Sequence, residues 1–186
     1  MMICPCSDTS FGRDIMSCNI DVYAVEDYKE IPYNLLRQLA ILRWWIDDGT
    51  PWEDGIEEEL KKDIDFMLTW KSNYDHVTFY VLAKTENDKI VGFAQFFQNK
   101  NNDSVWTYGD LVINENYTRK GIATKLIECG LHELEKKNAK TLLTFIDKDN
   151  EASVKLHEKL YFIQSTNQNT DNMYAGEGRI MYERVV

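Results

Sequence analysis

The chain has 186 residues, 44% of them hydrophobic and 28% charged, enough to bury the core of one domain without disulfides or a structural metal. Its formal net charge of -10 at pH 7 argues against binding nucleic acid through the general surface, and no apolar run approaches the roughly 18 residues that cross a bilayer. With no charged-then-apolar leader at the N-terminus, a cytoplasmic protein with no membrane partner is expected.

Residues 1–16 lack periodicity and read as a disordered N-terminal extension, which leaves 17–186 as the folded domain. Cys4, Cys6 and Cys18 crowd this end and Cys129 lies alone, with no second Cys or His pair at ligand spacing. Free thiols are expected, and no metal. Residues 19–25 alternate as a first strand. Leu35, Leu39, Leu42 and Ile46 recur at helical spacing and predict a helix from Tyr33 to Asp47, ended by the Gly49-Thr50-Pro51 turn. A second helix over 55–70 places Ile56, Leu60, Ile64 and Met67 on one face. Strands over 76–85 and 89–98 flank the short link Glu86-Asn87-Asp88, a tight hairpin, and a polar turn at 99–103 leads into a strand over 105–113.

The order then becomes strand, helix, strand, helix. A helix over 120–137 turns Ala123, Leu126, Ile127, Gly130 and Leu134 inward. The apolar run 141–147 suits a strand covered on both faces, and 150–160 forms a shorter helix capped by Asn150 or Asp149. A strand near 161–164, a polar loop and a last strand near 179–185 complete the chain. The fold class is α/β: one domain with a mixed central sheet flanked by helices.

The segment YTRKGIATK, 117–125, carries three positive charges and no negative one. It stands between a strand and a helix, where unsatisfied N–H groups and the helix dipole favour an anion. Gly121 allows close approach to the backbone, and Arg119 and Lys120 add cations at the rim. Taken alone, the turn is equally an ordinary solvated one.

The surrounding residues decide between these. DLVINENYTRKGIATKLI, 110–127, resembles the acyl-CoA-binding motif of the GNAT superfamily of N-acetyltransferases, Arg/Gln-x-x-Gly-x-Gly/Ala. NEASVKLHEKLYF, 150–162, is similar to the family's second signature, Asn-x-x-Ala/Ser-x-x-Leu-Tyr/His-x-Lys-x-Gly-Phe. The resemblance covers about 19–185 and implies a GNAT-like fold with acetyl-CoA as cofactor. It departs from the family at Thr118, in the Arg/Gln position, and at Tyr161, which puts a bulky ring where glycine is usual, near the expected cleft. The resemblance implies that Arg119, Lys120, Gly121, Ile122, Ala123 and Thr124 hold the pyrophosphate of coenzyme A. It implies further that Leu111, Val112 and Ile113 end a bulged, splayed strand whose backbone pairs with the pantetheine arm, and that Asn150 contacts that arm, caps its helix, or both.

Acetyl transfer to an amine needs the amine neutral, yet a lysine-like amine is neutral in only about one part in a few thousand at pH 7. It also needs a donor to the developing oxyanion, here the N–H of Ile113, and a proton for the departing thiolate. His157 stands where the family often has its proton-donating Tyr, and could hold or accept that proton or be structural. Asp110 is the candidate base, unless strand alternation turns it from the cleft. His76 and His132 are expected to be uninvolved. With no nucleophile pattern in view, direct attack by the amine is the simpler mechanism.

Residues 47–65 hold nine acids and two lysines, a charge of -7, with Trp44, Trp45, Trp52 and Trp70 nearby. Carboxylates and aromatic faces attract cations, which favours a small-molecule amine acceptor of polyamine or aminoglycoside-like character. The segment is equally read as a solvated helix face with core tryptophans. The alternative functions are a protein N-terminal or lysine acetyltransferase and a non-catalytic acyl-CoA-binding module. The resemblance leaves a homodimer open.

Overall fold

The computed structural model describes residues 19–43, 56–73, 77–166 and 176–186. The expected extension 1–16, Cys4, Cys6, Cys18, His76, Ile46, the 49–51 turn, the acids at 47–54 and Trp44, Trp45 and Trp52 fall outside these residues. Seven strands, β1 (Ile20–Val25), β2 (Thr78–Thr85), β3 (Ile90–Asn99), β4 (Asn102–Ile113), β5 (Thr141–Asp147), β6 (Ile163–Gln164) and β7 (Arg179–Val185), join one sheet. Its order is β1-β2-β3-β4-β5-β7-β6. The neighbours are antiparallel except β4 and β5, which are parallel. No helix of the described residues is long and apolar enough to cross a membrane.

Strand alternation splits the core in two. From β2, Phe79, Val81 and Ala83 face one side of the sheet, and Tyr80 and Leu82 the other. Helices α1 (Tyr33–Arg43) and α2 (Ile56–Asn73) cover the second side, where Leu36, Leu39, Ile64 and Met67 pack on Tyr80, Leu82 and Phe93. Helix α3 (Ile122–Lys136) covers the first, laying Leu126, Ile127 and Leu134 on Phe79, Val81 and Trp106. Leu160 and Phe162, at the end of α4 (Glu151–Lys159), join that same core. Each large apolar side chain so buried contributes about 1.5–3 kcal/mol, which is why the 3.6-residue periodicity of α2 and α3 reads so clearly.

Two expectations need adjusting. β4 begins at Asn102 rather than 105, because Asn99 pairs with Asn102 and the polar turn is a tight hairpin. α3 begins at Ile122, two residues late, so Ile122 is buried while Ala123 is half-exposed.

After α4, Tyr161 has φ 63. The Phe162 N–H reaches the His157 carbonyl and the Tyr161 N–H the Glu158 carbonyl, both at 3.0 Å. This is a Schellman ending, whose left-handed position usually takes glycine. Tyr161 does not crowd a cleft: it is 81% exposed, with the Arg184 guanidinium over its ring.

Candidate active site

β4 and β5 pair only from Val105 to Thr107 against Thr141 to Leu143. Beyond Thr107 the two strands part. β4 shifts register against β3 between the Gln95–Gly109 and Phe93–Val112 pairs, which places a bulge at Asp110 and Leu111. Asp110 absorbs it with φ 51. The expected bulge and splay are both present. The Asn114 N–H goes to the Val91 carbonyl at 3.0 Å, so alternation along the strand turns the Ile113 N–H to the opposite, open edge.

The gap is a cleft of about 780 Å³ between the strand ends and α2. Asp110, Leu111, Val112, Asn150 and His157 all line it, so the bulge turns the Asp110 carboxylate into the cleft rather than away. Ile113 and residues 119–124 are not among its lining residues; they belong to the end of β4 and the entry to α3.

That entry suits an anion. Arg119 has φ 60 and Gly121 φ 76, two left-handed residues that swing the chain into the helix. No side chain caps α3. Its first intrahelical donor is the Lys125 N–H, bonded to the Gly121 carbonyl at 3.1 Å, so the N–H groups of Ile122, Ala123 and Thr124 have no partner within the helix. A Cβ on Gly121 would meet nothing within 4 Å. The turn is therefore an open cradle of backbone donors, and a pyrophosphate fits it. Arg119 and Lys120 are exposed, the Lys120 ammonium lying 4.6 Å from the Tyr117 ring centroid. The Thr118 hydroxyl is turned back to the Glu115 carbonyl at 3.0 Å, away from any role like that of an Arg or Gln there.

Asn150 caps α4, accepting from the Ser153 N–H at 3.0 Å. Two turns on, His157 is only 2% exposed. Its Nδ1–H donates to the Ser153 carbonyl at 2.6 Å, which leaves Nε2 as an acceptor for the Tyr108 hydroxyl. Burial lowers the His157 pKa, more than the Ser153 bond raises it, which favours the neutral ring at pH 7. Burial likewise pushes the Tyr108 hydroxyl well above its ordinary range, against a smaller opposing effect of its bond with Thr144.

Sequence reasoning missed Tyr108, Arg43, Asp63 and Thr144, all of which line the cleft. Nothing in a strand as aromatic as β4 separates Tyr108 from core residues. Asp63 was visible only as one acid in an acidic run. Arg43 ends α1 and holds two carboxylates, Asp63 at 3.7 Å and Asp110 at 4.0 Å. Of the acids on α2, Glu57 pairs with Arg37, and Glu58 and Glu59 pair with Lys62 at 3.5 and 2.7 Å. The remaining histidine on α3, His132, is exposed and 3.7 Å from Glu135.

The fold matches known proteins. The family model described as "Acetyltransferase (GNAT) family" matches residues 39–162, more than half the chain. No curated protein matches the sequence. Among solved structures, a GNAT-family acetyltransferase from Staphylococcus aureus Mu50 is similar with TM-score 0.63 and 13% identity, over 89% of this chain and 99% of that one. The PaiA N-acetyltransferase of Thermoplasma acidophilum, in complex with coenzyme A, is similar with TM-score 0.59 and 15% identity, over 89% and 99%. The ribosomal-protein-S18-alanine N-acetyltransferase of Escherichia coli has TM-score 0.57 and 20% identity, over 90% and 94%. At these identities the structures speak for the fold, while the family match speaks for the chemistry. The chain belongs to the GNAT family: it is an acyl-CoA-dependent N-acetyltransferase, with acetyl-CoA as its acetyl donor.

Proposed function

We propose that the enzyme acetylates a primary amine of a small cationic molecule, such as a polyamine or an aminoglycoside-like compound, by direct attack in the β4–β5 cleft. One observation carries this reading: four carboxylates, Glu59, Asp63, Asp110 and Asp147, line the cleft against three cations, Arg43, Lys62 and Arg179. With His157 neutral, the surplus charge is negative, and it faces the space where an ammonium would enter.

When bound, acetyl-CoA supplies an acetyl group activated as a thioester. The N–H groups at 122–124 hold the pyrophosphate, with Arg119 and Lys120 at the rim, and the β4 edge over Leu111, Val112 and Ile113 pairs with the pantetheine arm, near Asn150. The Ile113 N–H holds the carbonyl oxygen as charge develops on it. Asp110 takes the first proton from the ammonium, leaving a neutral amine. With acetyl-CoA bound, the amine's surplus proton would pass to Tyr108 Oη while the Tyr108 proton passes to His157 Nε2. The reverse relay would return that proton to the coenzyme A sulfur. Moving both protons together avoids a buried phenolate, which burial disfavours, and a His157 with lowered pKa returns its proton readily.

Free-thiol release from acetyl-CoA with a panel of diamines, polyamines, aminoglycosides, monoamines and peptides tests the reading. Turnover concentrated in the small polycations is expected. Turnover of peptides alone would replace it with protein acetylation.

A further inference from the structure

Asp63 sits on α2 in the wall of the cleft and is 8% exposed as a residue, its side chain 7%. Its Oδ1 faces Arg43 at 3.7 Å, too long for a good hydrogen bond. Its Oδ2 is buried with no hydrogen-bond partner among the described residues. A buried carboxylate oxygen without a donor is costly and calls for a partner that the described residues do not supply. Arg43 does not neutralise the pocket, because the same guanidinium also faces Asp110, 4.0 Å away on the β4 bulge. The three groups leave one negative charge over.

We infer that Asp63 anchors the non-reacting ammonium of a diamine acceptor through its carboxylate, while the other amino group lies at Asp110 for attack. This rests on the reading of a cationic acceptor and narrows it to molecules with two amino groups. Asp63 and Asp110 face different terminal nitrogens of one guanidinium, so they form a pair of acceptors for two ammonium groups on one chain. One carboxylate alone would not discriminate a diamine from a monoamine. Asp63 touches no reacting atom in this arrangement, and its effect belongs in KM rather than kcat.

The experiment compares kcat/KM for 1,4-diaminobutane and longer diamines with that for butylamine and its homologues, in wild type, Asp63→Asn and Asp63→Glu. Wild type should prefer diamines, with an optimum chain length. Asp63→Asn keeps the shape and removes the charge. It should cut the diamine-to-monoamine ratio roughly 10- to 100-fold, mainly through KM, the range for losing a charge-assisted hydrogen bond. Asp63→Glu should restore part of the ratio and move the optimum to a different length. Wild type acetylating diamines and monoamines equally well would overturn the anchor without any variant. So would equal losses on both acceptors in a folded Asp63→Asn protein that binds acetyl-CoA normally, since that is the signature of a role through Arg43 alone. No turnover of any cationic amine by wild type would instead remove the cationic-acceptor reading, and the anchor with it.

Discussion

The Tyr108 hydroxyl donates to His157 Nε2 at the floor of the cleft, joining the central strand to the helix of the second motif. The Ser153 carbonyl fixes the other ring nitrogen, so the tautomer follows from the fold. A neutral histidine in this setting starts as an acceptor of a proton rather than its source. In the proposed mechanism the pair works as a relay, which neither residue could perform alone.

His157→Phe and Tyr108→Phe should each lower kcat roughly 10- to 1,000-fold while nearly preserving the affinity for acetyl-CoA, as for loss of an acid–base group. Because the two act as one unit, the double variant should be little worse than either single one. Stopped-flow and steady-state rates for all four combinations test this. Multiplying effects would mean two independent roles, and unchanged kcat would make the pair structural.

Burial lowers the folded-state pKa of His157 below the ordinary 6.5, so between those two values the unfolded chain holds a proton that the folded one does not. Protons in that window favour unfolding. The stabilising effect of a neutral His157 is present above pH 6.5 and is lost as pH falls toward the folded value. Denaturant titrations of wild type should show a steeper loss on acidification below pH 6.5 than those of His157→Phe, by at most about 1.4 kcal/mol per pH unit. Parallel curves would place the acid sensitivity elsewhere.

Gly121 should separate strain from charge. At φ 76 any side chain costs about 1–2 kcal/mol, although a Cβ there has open space. Gly121→Gln and Gly121→Glu carry the same strain, but only the second places a carboxylate against the N–H groups of 122–124. Calorimetric titration with acetyl-CoA should find weakened binding for Gln and no binding for Glu, with both proteins folded. Equal, unchanged affinity in the two would move the pyrophosphate off this turn.

Much of the architecture was legible because it is periodic. The faces of α2 and α3, the alternation of β1 and the two motifs each repeat a local rule. The cleft was legible as a place but not as a set of partners. Asp110 illustrates why: alternation left its direction open, and a one-residue bulge at φ 51 decides it. Tyr108 and His157 are 49 residues apart, and Arg43 and Asp110 still further. No local pattern encodes such pairs. Tyr161 failed in the other direction: the glycine of the family pattern answers a backbone requirement, the left-handed end of α4, and tyrosine there simply points outward.

Gly130 allows α3 to close on the sheet. An added Cβ would lie 2.1 Å from Cζ of Phe96, whose ring stacks on Phe79 at 4.7 Å and on Tyr108 at 5.4 Å. Alanine would gain up to about 1 kcal/mol in helix propensity. Overpacking costs about 1–3 kcal/mol and should win, because Phe96 is fully buried among neighbours that cannot retreat. Gly130→Ala should therefore lower Tm, and kcat should fall with it if the shift reaches Tyr108 through the stack. A higher Tm would mean that the helix moves freely on the sheet.

The last prediction concerns the acidic face of α2. Glu57, Glu58 and Glu59 have side chains 71%, 74% and 71% exposed, and their partners are Arg37 and Lys62 on the same surface. Exposed pairs of this kind contribute about 0–1 kcal/mol, so changing all three to Gln should barely alter stability. The change should matter for encounter instead, since Glu59 lines the cleft. Steering by exposed charges is screened within about 8–10 Å at physiological salt and weakens as salt rises. For a polyamine acceptor, kcat/KM should drop in the triple variant and lose most of its dependence on ionic strength, with acetyl-CoA binding unchanged. A monoamine should respond much less, because attraction scales with the acceptor's charge. Equal effects on both acceptors, or none on either, would reduce this face of α2 to solvated surface and leave the choice of acceptor to the carboxylates deeper in the cleft.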